Sequence, residues 1–199
     1  MIKLSKYTIV LGSGSPRRQE LIDHLKLPYS IRVSDVDEII PDGMDPYDVP
    51  VYLSELKSNH LALTMNEDEL IITADTIVIV DNMILGKPVD RDDAYRMIKL
   101  MSGRSHEVVT GITIKTNNIQ VSKSDRSEVT FLEISDDEIY WYIDNFHPMD
   151  KAGAYGIQDW IGSCKISNIS GSYYNIMGCL LYTSPSPRDR TRSRMPSSA

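Results

Sequence analysis

The sequence has few cysteines, no long apolar run and no excess of positive charge. Its two cysteines, Cys164 and Cys179, cannot build a disulfide framework, and neither they nor the four histidines have metal-ligand spacing. No apolar stretch approaches membrane-spanning length, and the first apolar run ends at Gly12, too early for a secretory signal. A formal net charge of −7 argues against general affinity for nucleic acid. We therefore expect a cytoplasmic protein without a stable nucleic-acid or membrane partner.

The bulk composition is that of a soluble globular domain. The chain has 199 residues, of which 41% are hydrophobic and 25% are charged. Residues 182–199 differ, because serine, proline and arginine dominate there and almost no apolar residue is present. We predict one folded domain over residues 1–181, followed by a disordered or non-native tail over residues 182–199.

A glycine- and serine-rich loop at residues 12–20 joins a predicted strand to a predicted helix. Ser15 is a suitable N-cap, with Ser13 two residues before it. Arg17 and Arg18 then fall in the first helical turn, where the helix macrodipole favours negative charge. A bound phosphate would relieve the repulsion between these two arginines and the positive end of the helix dipole. The alternative is a solvated helix start whose arginines point into water.

Two carboxylates are candidate catalytic or metal-binding groups. The apolar, β-branched run at residues 70–80 predicts a strand buried on both faces, with Asp75 in its middle. A buried carboxylate must be paired, protonated or bound to a metal. Glu38 ends an acidic loop at residues 34–38, which could hold a divalent cation or simply be solvated.

Two lysines and a small-residue loop complete the candidates. Lys57 lies on a predicted helix over residues 46–65, off its apolar stripe, where a lysine usually faces solvent. Lys87 follows a predicted hairpin that could carry it back towards Asp75. The loop at residues 151–158 has few bulky side chains, so it either lets a ligand approach closely or is a tight connector.

Helical and strand patterns alternate along the chain. The further elements are helices over residues 92–101 and from a capping box at residues 135–138, and strands over residues 105–115, 119–133 and 164–170.

Seven motifs and one lysine occur in a fixed order. They are SxSPRR from Ser13, SDVDE from Ser34, Lys57, ADT from Ala74, GKP from Gly86, SHEVVTG from Ser105, KAGAYGIQ from Lys151 and GSY from Gly171. Over about residues 5–178 this ordered set resembles the Maf (septum formation inhibitor-like) nucleoside triphosphate pyrophosphatases. The set is far more specific than any single motif.

The resemblance implies a fold, a reaction and a cofactor. The fold is mixed α/β, with an elongated mixed central sheet and flanking helices, in two lobes around a cleft, as in inosine triphosphatase-like proteins. The reaction splits a nucleoside triphosphate into the monophosphate and pyrophosphate with Mg²⁺ or Mn²⁺. A homodimer is also compatible with the resemblance. The competing function is a non-catalytic nucleotide-binding regulator of cell division.

The resemblance also assigns roles to individual residues. Arg17, Thr76 and Gln158 match positions that mark the branch resembling dTTP/UTP pyrophosphatases. Asp75, with help from Glu38, would hold the metal or take the proton from the attacking water. Positive charge for phosphoryl transfer would come from four side chains: Arg17, Arg18, Lys57 and Lys87. Ser13 and Ser15 complete the substrate-binding set.

Overall fold

The structure is a computed structural model that describes residues 6–178, so the predictions for Cys179 and for the tail at 182–199 lie outside the described residues. Within residues 6–178, seven strands form one mixed sheet. The strands are β1 (Thr8–Leu11), β2 (Tyr29–Ile31), β3 (Glu69–Val80), β4 (Met83–Leu85), β5 (Ser105–Lys115), β6 (Gln120–Phe131) and β7 (Ile166–Ser170). Their order is β2-β1-β3-β5-β6-β7, and β4 pairs with β3.

Helices flank this sheet, which confirms the predicted mixed α/β fold. They are α1 (Pro16–Asp23), α2 (Val49–Ala62), α3 (Arg91–Met101), α4 (Asp136–Phe146), α5 (Trp160–Cys164) and α6 (Tyr173–Ile176). None of the helices within residues 6–178 is both long and apolar enough to cross a membrane.

The long strand β3 lies at the centre of the sheet. It pairs in parallel with β1 and antiparallel with β5, so it joins the parallel and antiparallel halves. Ten of its twelve residues are buried, as its apolar sequence predicts, and the two half-buried exceptions are Asp75 and Thr76. Asp75 and Thr76, in the middle of β3, are therefore partly exposed in an otherwise buried strand.

Local signals placed several elements correctly. The turn between β3 and β4 has positive φ at both Asp81 and Asn82, as the predicted hairpin requires. The capping box at the start of α4 is present, since the Ser135 hydroxyl and the Glu138 side chain each bond the other residue's backbone N–H. The Asp90 side chain caps α3 by accepting from the Asp93 N–H at 2.7 Å.

Two predicted boundaries and one predicted capping bond were wrong. The second helix begins at Val49 and not at Pro46, because the Asp45 carboxylate accepts the Tyr47 N–H at 2.9 Å and forms a turn first. The last strand begins at Ile166, since the preceding residues form α5. Ser15 occupies the N-cap position of α1, but its hydroxyl makes no capping bond.

Candidate active site

A cleft of about 720 Å³ opens where β3 meets the loop before α1. It brings together every residue that the sequence predicts for the site: Ser13, Ser15, Arg17, Arg18, Glu38, Lys57, Asp75, Thr76, Lys87 and Gln158. These residues come from loops, two helices and the central strand, so distant parts of the chain form the cleft together.

Arg18 is fixed by three acceptors from separate parts of the chain. Its Nη1 donates to Ser13 Oγ at 3.2 Å, its Nη2 to Thr76 Oγ1 at 3.2 Å, and its Nε to the Gly178 carbonyl at 2.9 Å. The Ser13 hydroxyl also accepts the Ser15 N–H at 3.2 Å, which folds the loop back on itself. A planar guanidinium held in this way is preorganised for a phosphate group.

Arg17 points to another wall of the cleft. Its Nη1 lies 2.9 Å from Asp150 Oδ2, and Lys151 Nζ lies 3.0 Å from Asp150 Oδ1. Burial alone would raise the pKa of Asp150, but the hydrogen bonds from Lys151 and Arg17 hold that pKa below its usual range. The contact connects the first helix to the residue that precedes the loop of residues 151–158.

Asp75 is paired, which is one of the three states that its burial allowed. Lys57 Nζ lies 2.5 Å from Asp75 Oδ1 and 2.8 Å from Glu38 Oε2, so one ammonium joins both carboxylates. Only 13% of the Lys57 side chain and 15% of the Asp75 side chain are exposed. The usual interpretation of Lys57 as a solvent-facing lysine is therefore wrong for this chain.

Gly111 explains how α2 comes close enough for this contact. Gly111 lies directly opposite Asp75 in the pairing of β3 with β5. A Cβ at Gly111 would lie 2.3 Å from the Pro50 carbonyl carbon and 2.4 Å from the Val51 nitrogen. The first turn of α2 therefore rests directly on the backbone of β5. Lys57 lies two turns further along that helix.

Lys87 and Gln158 line the cleft but are exposed. Within residues 6–178, neither side chain makes a hydrogen bond or an ion pair. The backbone beside Gln158 is fixed, because the Tyr142 hydroxyl donates to Asp159 Oδ2 at 2.8 Å and accepts the Gly156 N–H at 3.1 Å. Among the described residues, the Gln158 amide therefore has no hydrogen-bond partner, and it lies next to backbone that Tyr142 holds in place.

No group of three or more possible His, Cys, Asp or Glu ligands occurs within residues 6–178. His106 is buried, and its Nε2 lies 2.8 Å from the Tyr155 hydroxyl. Burial lowers the pKa of His106 to about 3, so this imidazole is neutral in the folded protein.

Sequence reasoning did not identify four residues that support the site. Asp150 pairs with Arg17, the Gly178 carbonyl binds Arg18, and Thr110 and Asn175 lie behind Thr76. The only sequence signal for Thr110 was its place in the SHEVVTG motif.

Comparison with known proteins shows the family to which the chain belongs. The family model described as "Maf-like protein" matches residues 8–183. Proteins named dTTP/UTP pyrophosphatase are 46% identical in Flavobacterium johnsoniae and 47% identical in Phocaeicola vulgatus, each over 88% of this chain and 91% of the relative. A protein of that name from Porphyromonas gingivalis is 48% identical over 88% of this chain and 89% of the relative. With matches of this extent, and with the ordered motifs meeting in one cleft, the chain belongs to the Maf family.

Proposed function

We propose that this protein is a nucleoside triphosphate pyrophosphatase that acts on dTTP and UTP. The observation that carries the proposal is the pairing of Asp75 with Lys57 in the same cleft as Arg17 and Arg18. The relatives named dTTP/UTP pyrophosphatase support the same substrates. Water adds across the bond between the α- and β-phosphates and gives the monophosphate and pyrophosphate.

The side chains of the cleft divide this work between them. Arg17, Arg18 and Lys87 bind and orient the negatively charged triphosphate, where preorganised cations are worth more than in bulk water. Asp75 accepts the proton of the attacking water, and Lys57 fixes the position of that carboxylate. Substrate positioning and charge neutralisation are the main contributions that phosphoryl transfer requires from a protein.

A divalent cation fits the donor set of this cleft. Asp75 and Glu38 offer carboxylate oxygens on either side of Lys57, and Mg²⁺ or Mn²⁺ prefers such oxygen ligands. Mg²⁺ sites often use one or two carboxylates together with phosphate oxygens and water. When bound, the cation would neutralise phosphate charge and lower the pKa of a bound water.

The competing function, a non-catalytic regulator of cell division, is not favoured by relatives that are named as enzymes. A cytoplasmic location stays a prediction, supported by the nature of the proposed substrates. Homodimer formation also stays a prediction.

The test is pyrophosphate release from a panel of canonical and modified triphosphates, with Mg²⁺ or Mn²⁺ added. Asp75→Asn should lower the rate by at least about 10²-fold, as expected for loss of a general base. The matched control is Asp125→Asn, which alters a carboxylate on β6 outside the cleft and should keep the wild-type rate. A near wild-type rate for Asp75→Asn would show that Asp75 is not the catalytic carboxylate. Nucleotide binding by the wild type without pyrophosphate release would favour the regulator.

A further inference from the structure

Thr110 lies behind the cleft and does not line it. It is fully buried and lies directly opposite Thr76 in the pairing of β3 with β5. Its Oγ1 is 2.9 Å from Thr76 Oγ1 and 2.8 Å from the backbone carbonyl oxygen of Asn175. The hydroxyl therefore connects a cleft residue to the last described segment of the chain.

The direction of these hydrogen bonds follows from counting protons. A carbonyl oxygen can only accept, so the single Thr110 hydroxyl proton is donated to Asn175. The Thr76 hydroxyl must then donate its own proton to Thr110 Oγ1. The Thr76 oxygen is left as an acceptor for Arg18 Nη2, which lies 3.2 Å away. The result is a chain of three hydrogen bonds that all run from Arg18 towards Asn175.

The far end of this chain is itself held in place. Asn175 is fully buried, and its Nδ2 donates to the Val108 carbonyl at 3.0 Å and to Ser127 Oγ at 2.8 Å. Three residues later the Gly178 carbonyl accepts from Arg18 Nε at 2.9 Å. The same segment therefore anchors the Arg18 guanidinium directly and through the two threonines.

We propose that Thr110 is a positioning residue that acts through Thr76 on Arg18. By accepting the Thr76 proton, Thr110 keeps the Thr76 oxygen presented to Arg18 and so aims the guanidinium at the phosphates of the nucleotide. This inference rests on the proposed function, because it assumes that the ligand of Arg18 is a triphosphate. Without the Thr110 hydroxyl, the Thr76 proton loses its acceptor, and Thr76 is free to rotate away from Arg18.

The test compares Thr110→Val, which removes the hydroxyl at nearly constant volume, with Thr110→Ser, which retains it. Phosphate binding by Arg18 contributes to both substrate and transition-state binding, so the loss should fall on KM and not on kcat. We expect KM for UTP to rise about tenfold in Thr110→Val. This is the size of effect expected when one hydrogen bond, here that between Thr76 and Thr110, is lost. In Thr110→Ser it should stay within about twofold of the wild type.

Thr113→Val is the matched control. Thr113 is an equally buried threonine on β5 whose hydroxyl bonds Ser54 and Ser122 outside the cleft. Its KM should equal that of the wild type even where its melting temperature falls. If Thr110→Val does not fold, Thr110→Ala removes the same hydroxyl. A partly unfolded preparation of either variant still gives a valid KM, because KM does not depend on the fraction of active protein.

Equal KM values for Thr110→Val and Thr113→Val, or failure of serine to restore KM, would overturn the inference. The dissociation constant of the uncleavable α,β-methylene-UTP, measured by calorimetry, separates this inference from the proposed function. If the wild type binds this analogue but releases no pyrophosphate from any triphosphate, the proposed function fails. In that case a tenfold higher dissociation constant for Thr110→Val than for Thr113→Val still supports the role of Thr110. Equal dissociation constants for the two variants refute that role.

Discussion

The Lys57 ammonium lies 2.5 Å from the Asp75 carboxylate and bridges it to Glu38 at 2.8 Å. The three groups come from a helix, the central strand and a loop, and this contact unites them in the cleft. Because the Lys57 and Asp75 side chains are largely buried, solvent and salt screen their attraction much less than they would an exposed pair.

Replacing Lys57 should therefore damage catalysis strongly. Lys57→Met leaves two carboxylates together without their shared cation, so Asp75 loses its fixed position. We expect pyrophosphate release to fall about 10²-fold, as for loss of a preorganised charged group. Lys115→Met is the control, since Lys115 bonds Asn59 and Gln120 away from the cleft. Activity of Lys57→Met within about twofold of the wild type would contradict the assigned role.

Gly111→Ala should destabilise the fold. The added Cβ would overlap backbone atoms of Pro50 and Val51, so α2 must move away from β5. We expect a loss of about 1–3 kcal/mol in the free energy of unfolding, the usual cost of overpacking, measured by urea denaturation. Gly86→Ala is the control, because a Cβ there meets nothing within 4 Å. Equal stability of the two variants would show that the close helix–strand approach is not required.

Gln158→Leu should change base preference more than overall activity. The Gln158 amide offers both a donor and an acceptor, and the uracil or thymine edge presents an imide N–H between two carbonyls. We expect kcat/KM to fall more for UTP and dTTP than for purine triphosphates, because an unpaired polar group on the base is costly. Gln120→Leu, outside the cleft, should alter neither. Equal losses for all bases would indicate that Gln158 is only structural.

The stability of the protein should fall in mild acid because of His106. Its pKa in the folded protein is about 3, against 6.5 for an ordinary histidine, because burial disfavours the charged form. Between these two values the unfolded state binds a proton that the folded state does not. The contribution of His106 is therefore complete above pH 6.5 and is lost as the pH falls towards 3, with a limiting slope of about 1.4 kcal/mol per pH unit.

Urea denaturation at pH 7, 6 and 5 measures this slope. His106→Gln removes the titrating group and should flatten the dependence. The exposed His24 provides the control, and His24→Gln should leave the slope as in the wild type. A slope that is the same in His106→Gln and in the wild type would exclude His106 as its source.

The sequence by itself determined the features that depend on near neighbours. The apolar run of β3 with Asp75 inside it, the hairpin at Asp81 and Asn82, and the capping box at Ser135 all follow from spacing and residue type. The site residues that were predicted from the ordered motifs and Lys57 all line the cleft. The predicted start of α2 was wrong. A turn closed by the hydrogen bond between the Tyr47 N–H and the Asp45 carboxylate competes with the helix, and helix propensity alone does not decide that competition.

Only the tertiary structure decided which of these groups touch. Asp150 is 133 residues from Arg17, and Asn175 is 65 residues from Thr110, so no local pattern relates either pair. Their contacts depend on the register of β3 against β5 and on the packing of α2 and the last described segment around the sheet. No hairpin turn joins β3 to β5, since β4 and α3 lie between them in the chain, so burial of whole strand faces sets their register. That physical difference explains why the sequence predicts which groups form the site but not the hydrogen bonds that hold them in place.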